Sequence, residues 1–140
     1  MVRYLLIIFG LVFLSVSSSN TDRYKCDDIV GYYYSIDPFS KEGSQSYIYK
    51  AKNGTYEGKV VWVENEKKKN FLGLVFLKNL IFNAKEQEWQ DGVLIYPGKN
   101  GTFKTYMSFA SPTQLKVRGY WGVSLLGKTM YWQKEKELRK

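Results

Sequence analysis

From residue 29 onward, apolar and polar side chains alternate in short runs, the period of β-strands with one face buried and the other wet. Tyr56, Gly58, Val60 and Trp62 share one parity, and Glu57 and Lys59 the other. Further along, Phe103, Thr105, Met107 and Phe109 oppose Lys104, Tyr106 and Ser108, and Leu115 and Val117 oppose Lys116 and Arg118. One run departs from this pattern. Val75, Leu77 and Ile81 lie on one parity while Phe76, Leu80 and Phe82 lie on the other, so this strand is either covered on both faces or bulged.

The runs predict eight strands, at residues 29–35, 45–51, 55–64, 72–82, 88–96, 102–110, 114–120 and 128–134. Helix is expected only as a short turn before Ile29 and in the charged C-terminal tail. Asn53-Gly54 and Asn100-Gly101 stand between alternating runs and suit tight hairpin turns, whose central residues need positive φ. Each pair is followed by Thr and so also spells a glycosylation sequon. Ser111-Pro112-Thr113 marks another reversal, while Pro38 and Pro97 fall in loops, so no proline interrupts a strand that must donate to a ladder. Eight antiparallel strands in sequence, each with one apolar face, close into an up-and-down barrel. Closure removes the exposed edges and leaves an interior the size of its own side chains or of one small ligand.

The first residues carry a different signal. Met1-Val2-Arg3 precedes an apolar run from Tyr4 to Val16 and then Ser17-Ser18-Ser19-Asn20, the layout of a secretory signal peptide. The run makes a helix of about 20 Å, short of the roughly 30 Å of a bilayer core. Cleavage after Ser19 leaves residues 20–140 as one domain, exported to the periplasm or secreted. Cys26 lacks the Leu-x-Gly/Ala-Cys context of a lipid-anchored cysteine, and as the single cysteine it cannot close an internal bridge.

Of the 140 residues, 21 are Lys or Arg and 13 Asp or Glu, which favours anionic partners. The chain contains no histidine. That removes Ser-His-Asp and Cys-His nucleophilic systems, histidine-bound zinc and proximal-histidine haem, and one cysteine removes thiolate metal sites. No catalytic residue, metal or cofactor is expected. Glu57, Glu88 and Asp91 lie on predicted strands, and their convergence would be needed for a hydrolytic acid/base pair.

A set of short motifs runs through the chain in order. Gly31-Tyr32-Tyr33, Tyr56-x-Gly58-Lys59-Val60, Leu72-Gly73, Trp89-x-Asp91-Gly92-x-x-Ile95-Tyr96-Pro97, Gly101-Thr102-Phe103, Leu115-Lys116-Val117-Arg118-Gly119-Tyr120 and Leu126-Gly127-Lys128-Thr129-x-x-Trp132 together resemble the exported bacterial family catalogued as domain of unknown function 2147. The resemblance implies a lipocalin-like, calycin-type barrel and capture of a small apolar ligand. It departs at Tyr33, where the family has Trp, and in the short loop 65–70. It also implies a late arginine packed over a first-strand aromatic, which gives Arg118 against Tyr33 as a cation–π closure of the floor or, alternatively, Arg118 as the contact for a ligand's acidic group.

The expected function is therefore binding of a small, mostly apolar or amphipathic molecule, with an interior lined by Tyr47, Tyr49, Tyr56, Trp62, Trp89, Phe103, Met107, Phe109 and Trp132. Two rivals stand beside it. One is a protein-interaction module whose barrel is filled by its own side chains. The other is a surface that binds anionic envelope glycans or lipid headgroups through Lys67, Lys68, Lys69 and the tail; export makes nucleic acid a poor partner.

Overall fold

The computed structural model describes residues 23–96, 101–122 and 127–140. The proposed signal peptide, Asn100 of the second Asn-Gly pair, Pro97 and the Leu126 motif residue lie outside the described residues. Eight strands, β1 (Gly31–Ile36), β2 (Gly43–Lys50), β3 (Tyr56–Val63), β4 (Val75–Asn83), β5 (Glu88–Ile95), β6 (Thr102–Ser111), β7 (Gln114–Tyr120) and β8 (Gly127–Glu135), follow one another around a closed barrel. Every ladder is antiparallel, including the closing one, where Tyr33 stands opposite Lys134. The expected all-β, up-and-down barrel is the observed one.

Two 3-10 helices mark the two ends. The first, η1 (Cys26–Ile29), precedes β1 and lies at one end, which we call the floor. Residue 29 thus belongs to this helix and not to the first strand. The second, η2 (Glu66–Phe71), occupies the β3–β4 connection at the other end, the mouth. Asn65 caps it, its side chain accepting from Lys67 N at 3.0 Å. As a result β4 begins at Val75 and not at Leu72. The C-terminal tail forms no helix. It continues β8 as an irregular strap held to the barrel's outer wall.

Bulges decide which side chains turn inward. Asn79 and Asp91 both adopt positive φ, 68° and 63°, and each adds a residue to its strand. Buried residues accordingly come three apart, Leu77 then Leu80 on β4 and Trp89 then Gly92 on β5. This accounts for the mixed parity of the fourth strand. On β3, Ser46 pairs with Val60 but Gln45 with Trp62, so Val61 is an inserted residue and Trp62 moves to the outer face.

The interior near the floor is packed solid. Ile29, Tyr33, Tyr56, Leu80, Trp89, Met107, Leu115 and Val117 belong to one buried cluster. Trp89 Nε1 donates to the Cys26 carbonyl at 3.0 Å, and Tyr33 Oη donates to the Ile29 carbonyl at 2.8 Å. Tyr56 Oη donates to Asp27. Each large ring of the plug therefore spends its polar atom on η1, which satisfies buried donors and fixes the helix as a stopper. Tyr24 stacks on Phe109 at 4.7 Å below it.

A half-hollow barrel as the candidate binding site

Above the plug the barrel is open. A cavity of about 590 Å³ is lined by Ile36, Phe76, Leu94, Phe103, Met130 and Trp132 among others, with Phe39, Tyr96, Trp121 and Lys128 at the mouth. Trp132 forms its base and separates it from the plug, its ring centroid 6.4 Å from Tyr33 below and 6.1 Å from Phe76 beside it. Gly119 leaves the wall thin at β7. A Cβ placed there meets only Leu94 Cδ1, at 3.6 Å.

The rim is aromatic and braced. Trp121 stacks on Phe103 at 4.8 Å with 9° between planes, and its Nε1 donates to the Thr102 carbonyl at 3.0 Å. Phe39 meets Tyr96 edge-on at 5.5 Å, and Tyr96 Oη donates to Asp37. Phe39 N also donates to Asp37 Oδ1 at 2.8 Å. Partial burial acts to raise the Asp37 pKa, but the hydrogen bonds from Tyr96, Phe39 and Ser40 outweigh it, so the carboxyl titrates below its ordinary range. Burial, helped by that carboxylate, pushes the Tyr96 phenol up. Lys128 Nζ lies 5.6 Å from the Phe39 ring centroid, and its cation is the basic group of the lining.

Residues 31–134 match the family described as an uncharacterized protein conserved in bacteria, DUF2147. The chain belongs to that family. Its fold is similar to that of protein HP1028 from the human pathogen Helicobacter pylori, described as belonging to the lipocalin family, with a TM-score of 0.65 and 15% identity over 77% of this chain and 83% of that one. Among curated proteins no sequence matches the chain significantly. This DUF2147 barrel is lipocalin-like in architecture.

The residues singled out from the sequence fall into three places. Phe103 and Trp132 line the cavity. Tyr56, Trp89, Met107 and Phe109 lie lower, in or against the plug. Tyr47, Tyr49 and Trp62 are on the outer wall, against expectation. On β2 the inward parity belongs to Ser46 and Ile48, because Ser46 faces Tyr33 across the ladder and only a small side chain leaves room for that ring. Tyr47 instead packs on Tyr32 at 4.8 Å, and Tyr49 Oη donates to Glu57 at 2.9 Å. Trp62, turned out by the bulge at Val61, meets Tyr34 at 6.4 Å and the Arg139 guanidinium at 5.2 Å.

Arg118 does not close the floor. It points outward, donating from Nη1 to Thr129 Oγ1 at 3.0 Å. The cation over Tyr33 is Lys134, 5.9 Å from that ring and 5.4 Å from Phe109, with Nζ donating to the Asp28 carbonyl at 2.8 Å. Burial drives the Lys134 pKa down, partly offset by the Asp28 charge. The parity of β8 held this signal, since Met130, Trp132 and Lys134 share a face. Glu57, Glu88 and Asp91 are not part of the cavity lining.

Proposed function

We propose that the mature protein is an exported carrier that holds a small, largely apolar molecule in the upper half of its barrel. The observation that carries this reading is the 590 Å³ cavity above Trp132. It lies within the roughly 300–1,000 Å³ of pockets that take small molecules. Its walls are Phe76, Leu94, Phe103 and Met130, with Ile36 at the rim, and they reward burial of an apolar body. Its charged groups, Lys128 and the Asp37 carboxylate bonded by Tyr96, stand at the rim, and Ser35 and Ser44 add hydroxyls to the lining. A guest with an apolar body and one acidic group fits that division, its body above Trp132 and its head at Lys128, where charge meets solvent and loses little solvation. The plug beneath supplies rigidity and contributes no binding surface.

Of the four tryptophans, Trp121 and Trp132 line the cavity, whereas Trp89 is in the plug and Trp62 is outside. Titrating fatty acids and retinoid-like probes should therefore change tryptophan emission, and Trp132→Phe should remove most of that change. Apolar capture should weaken little between low and physiological salt. Emission unaltered by every probe, or altered equally in the double variant Trp121→Phe with Trp132→Phe, would move the assignment to a protein-interaction module.

A further inference from the structure

The two ends of the barrel differ in what they expose. At the floor the turns 51–55, 84–87 and 112–113 contain no large apolar side chain, as suits segments surrounded by water. At the mouth the opposite holds. Ile36 at the end of β1, Leu72 and Leu74 between η2 and β4, and Trp121 after β7 all stay well exposed, and Phe39 stands among them with its ring edge-on to Tyr96. Among the described residues, the other large apolar side chains exposed to this degree are Ile81, Tyr131 and Leu138, on the outer wall and in the tail.

Cations accompany these side chains. Lys41 lies in the β1–β2 connection, Lys67, Lys68 and Lys69 on η2, and Lys128 at the start of β8. The acids of the same end are engaged within the protein. Asp37 accepts from Tyr96 Oη and Phe39 N, Glu42 pairs with Lys68 at 3.4 Å, Glu64 accepts from Gly43 N at 3.2 Å, and Glu66 pairs with Lys69 at 3.5 Å. Lys41, Lys67 and Lys128 are exposed and form no ion pair among the described residues.

We infer that the mouth is a docking surface and that its partner is an anionic lipid bilayer. Peripheral proteins hold to bilayers by inserting apolar side chains among the headgroups while cations meet the surface charge, and Trp favours that boundary. The mouth supplies both, with Trp121, Leu72 and Leu74 as the inserting side chains. Seating it there sets the cavity opening against lipid, so a guest of the carrier proposed above exchanges with the bilayer without crossing bulk water, although docking itself does not depend on that reading. A protein partner fits less well. The apolar side chains rise from separate connections around an opening that a partner would have to plug, whereas a stable protein interface has a continuous packed centre and lipid conforms to any outline. A second copy of the chain fits worse, since mouth-to-mouth contact brings two sets of lysines without carboxylate partners together.

The test sediments the mature protein with sucrose-loaded vesicles, either phosphatidylglycerol mixed with phosphatidylethanolamine or phosphatidylcholine alone. The anionic vesicles should bind about tenfold or more tightly at low salt, and physiological salt should weaken the binding without abolishing it, because insertion is unscreened. Leu72→Ser with Leu74→Ser should lower the partition coefficient about tenfold or more. Lys41→Gln with Lys67→Gln should also lower it about tenfold or more, at up to about fivefold per lysine. Matched changes elsewhere, Ile81→Ser on the outer wall and Lys52→Gln with Lys85→Gln at the floor, should leave it within about twofold. None of these residues lines the cavity, so the emission response to cavity probes should be unchanged in all four variants, which separates failure here from failure of the carrier reading. Acyl-brominated lipid should quench Trp121, and Trp121→Phe should lose most of that quenching, a readout of insertion that leaves Leu72 and Leu74 in place. The inference is overturned by no binding to anionic vesicles at low salt, by equal binding to phosphatidylcholine, by an equal loss in the matched variants, by no quenching from brominated lipid, or by a stable dimer that Leu72→Ser with Leu74→Ser dissolves.

Discussion

Replacing Gly119 by leucine adds four carbons to the wall of the upper cavity. The first of them meets only Leu94 Cδ1, at an ordinary 3.6 Å, and the φ of Gly119 is not among the positive ones, so the backbone accepts a side chain. At about 0.8 kcal/mol per buried CH₂, less ~0.5–1 kcal/mol for lost rotamer freedom, the variant should gain about 2–3 kcal/mol. Gly92 offers the opposite case. A Cβ there falls 2.6 Å from both Leu80 Cδ2 and Thr105 Cγ2, about 1 Å inside normal carbon contact. Leu80 is fully buried and Thr105 is β-branched and stiff at χ1, so Gly92→Ala should cost about 1–3 kcal/mol by overpacking. Urea unfolding should thus move the two midpoints in opposite directions at similar m-values. Gly119→Leu should also weaken a bound fatty acid at least tenfold, about 1.4 kcal/mol, by occupying the guest's space. Destabilisation of both variants would mean that the interior is filled throughout, and tolerance of both would mean that it is loosely packed throughout.

Three further outcomes follow from single contacts. The Thr105 hydroxyl is buried with no hydrogen-bond partner among the described residues, so Thr105→Val should raise stability by about 1 kcal/mol in thermal unfolding. Because the folded-state pKa of Asp37 is depressed, its stabilising contribution is present above the unfolded value and lost as pH falls through the folded one. The stability gap between wild type and Asp37→Asn should therefore be constant near neutrality and narrow below about pH 4. Deleting residues 136–140 removes the bonds from Gln45 to the Glu137 carbonyl and from Arg139 to Gln45 and Glu135, together with the guanidinium 4.1 Å from the Tyr34 ring. The barrel should survive with a loss of about 1–2 kcal/mol and a red shift of Trp62 emission.

Alternation made the strands legible because a sheet with one buried face imposes a period of two on whatever chain forms it. Leu115 and Val117, or Met107 and Phe109, could be placed inside without knowledge of their neighbours. The same rule already set Arg118 on the opposite parity, and it was the resemblance to an arginine-closed floor that suggested otherwise. Trp62 was not legible, since nothing in Val60-Val61-Trp62 announces an extra residue. Tyr47 and Tyr49 show a different limit. Hydrophobic bulk favours them for the interior, but the space left by Tyr33 across the ladder selects Ser46, a constraint carried by a partner strand. The rim was the least legible part. Ile36, Phe39, Tyr96, Trp121 and Lys128 sit at strand ends or in loops, where no period applies and only closure of the barrel brings them together.

The account depends on a barrel that is hollow above Trp132 and solid below it. Methyl-resolved NMR of the mature protein titrated with a medium-chain fatty acid tests this most directly. Shifts should concentrate in the methyls of Ile36, Leu94 and Met130, with those of Leu80, Met107 and Leu115 unmoved; a saturating guest that moves the second group and spares the first, or moves neither, would contradict it.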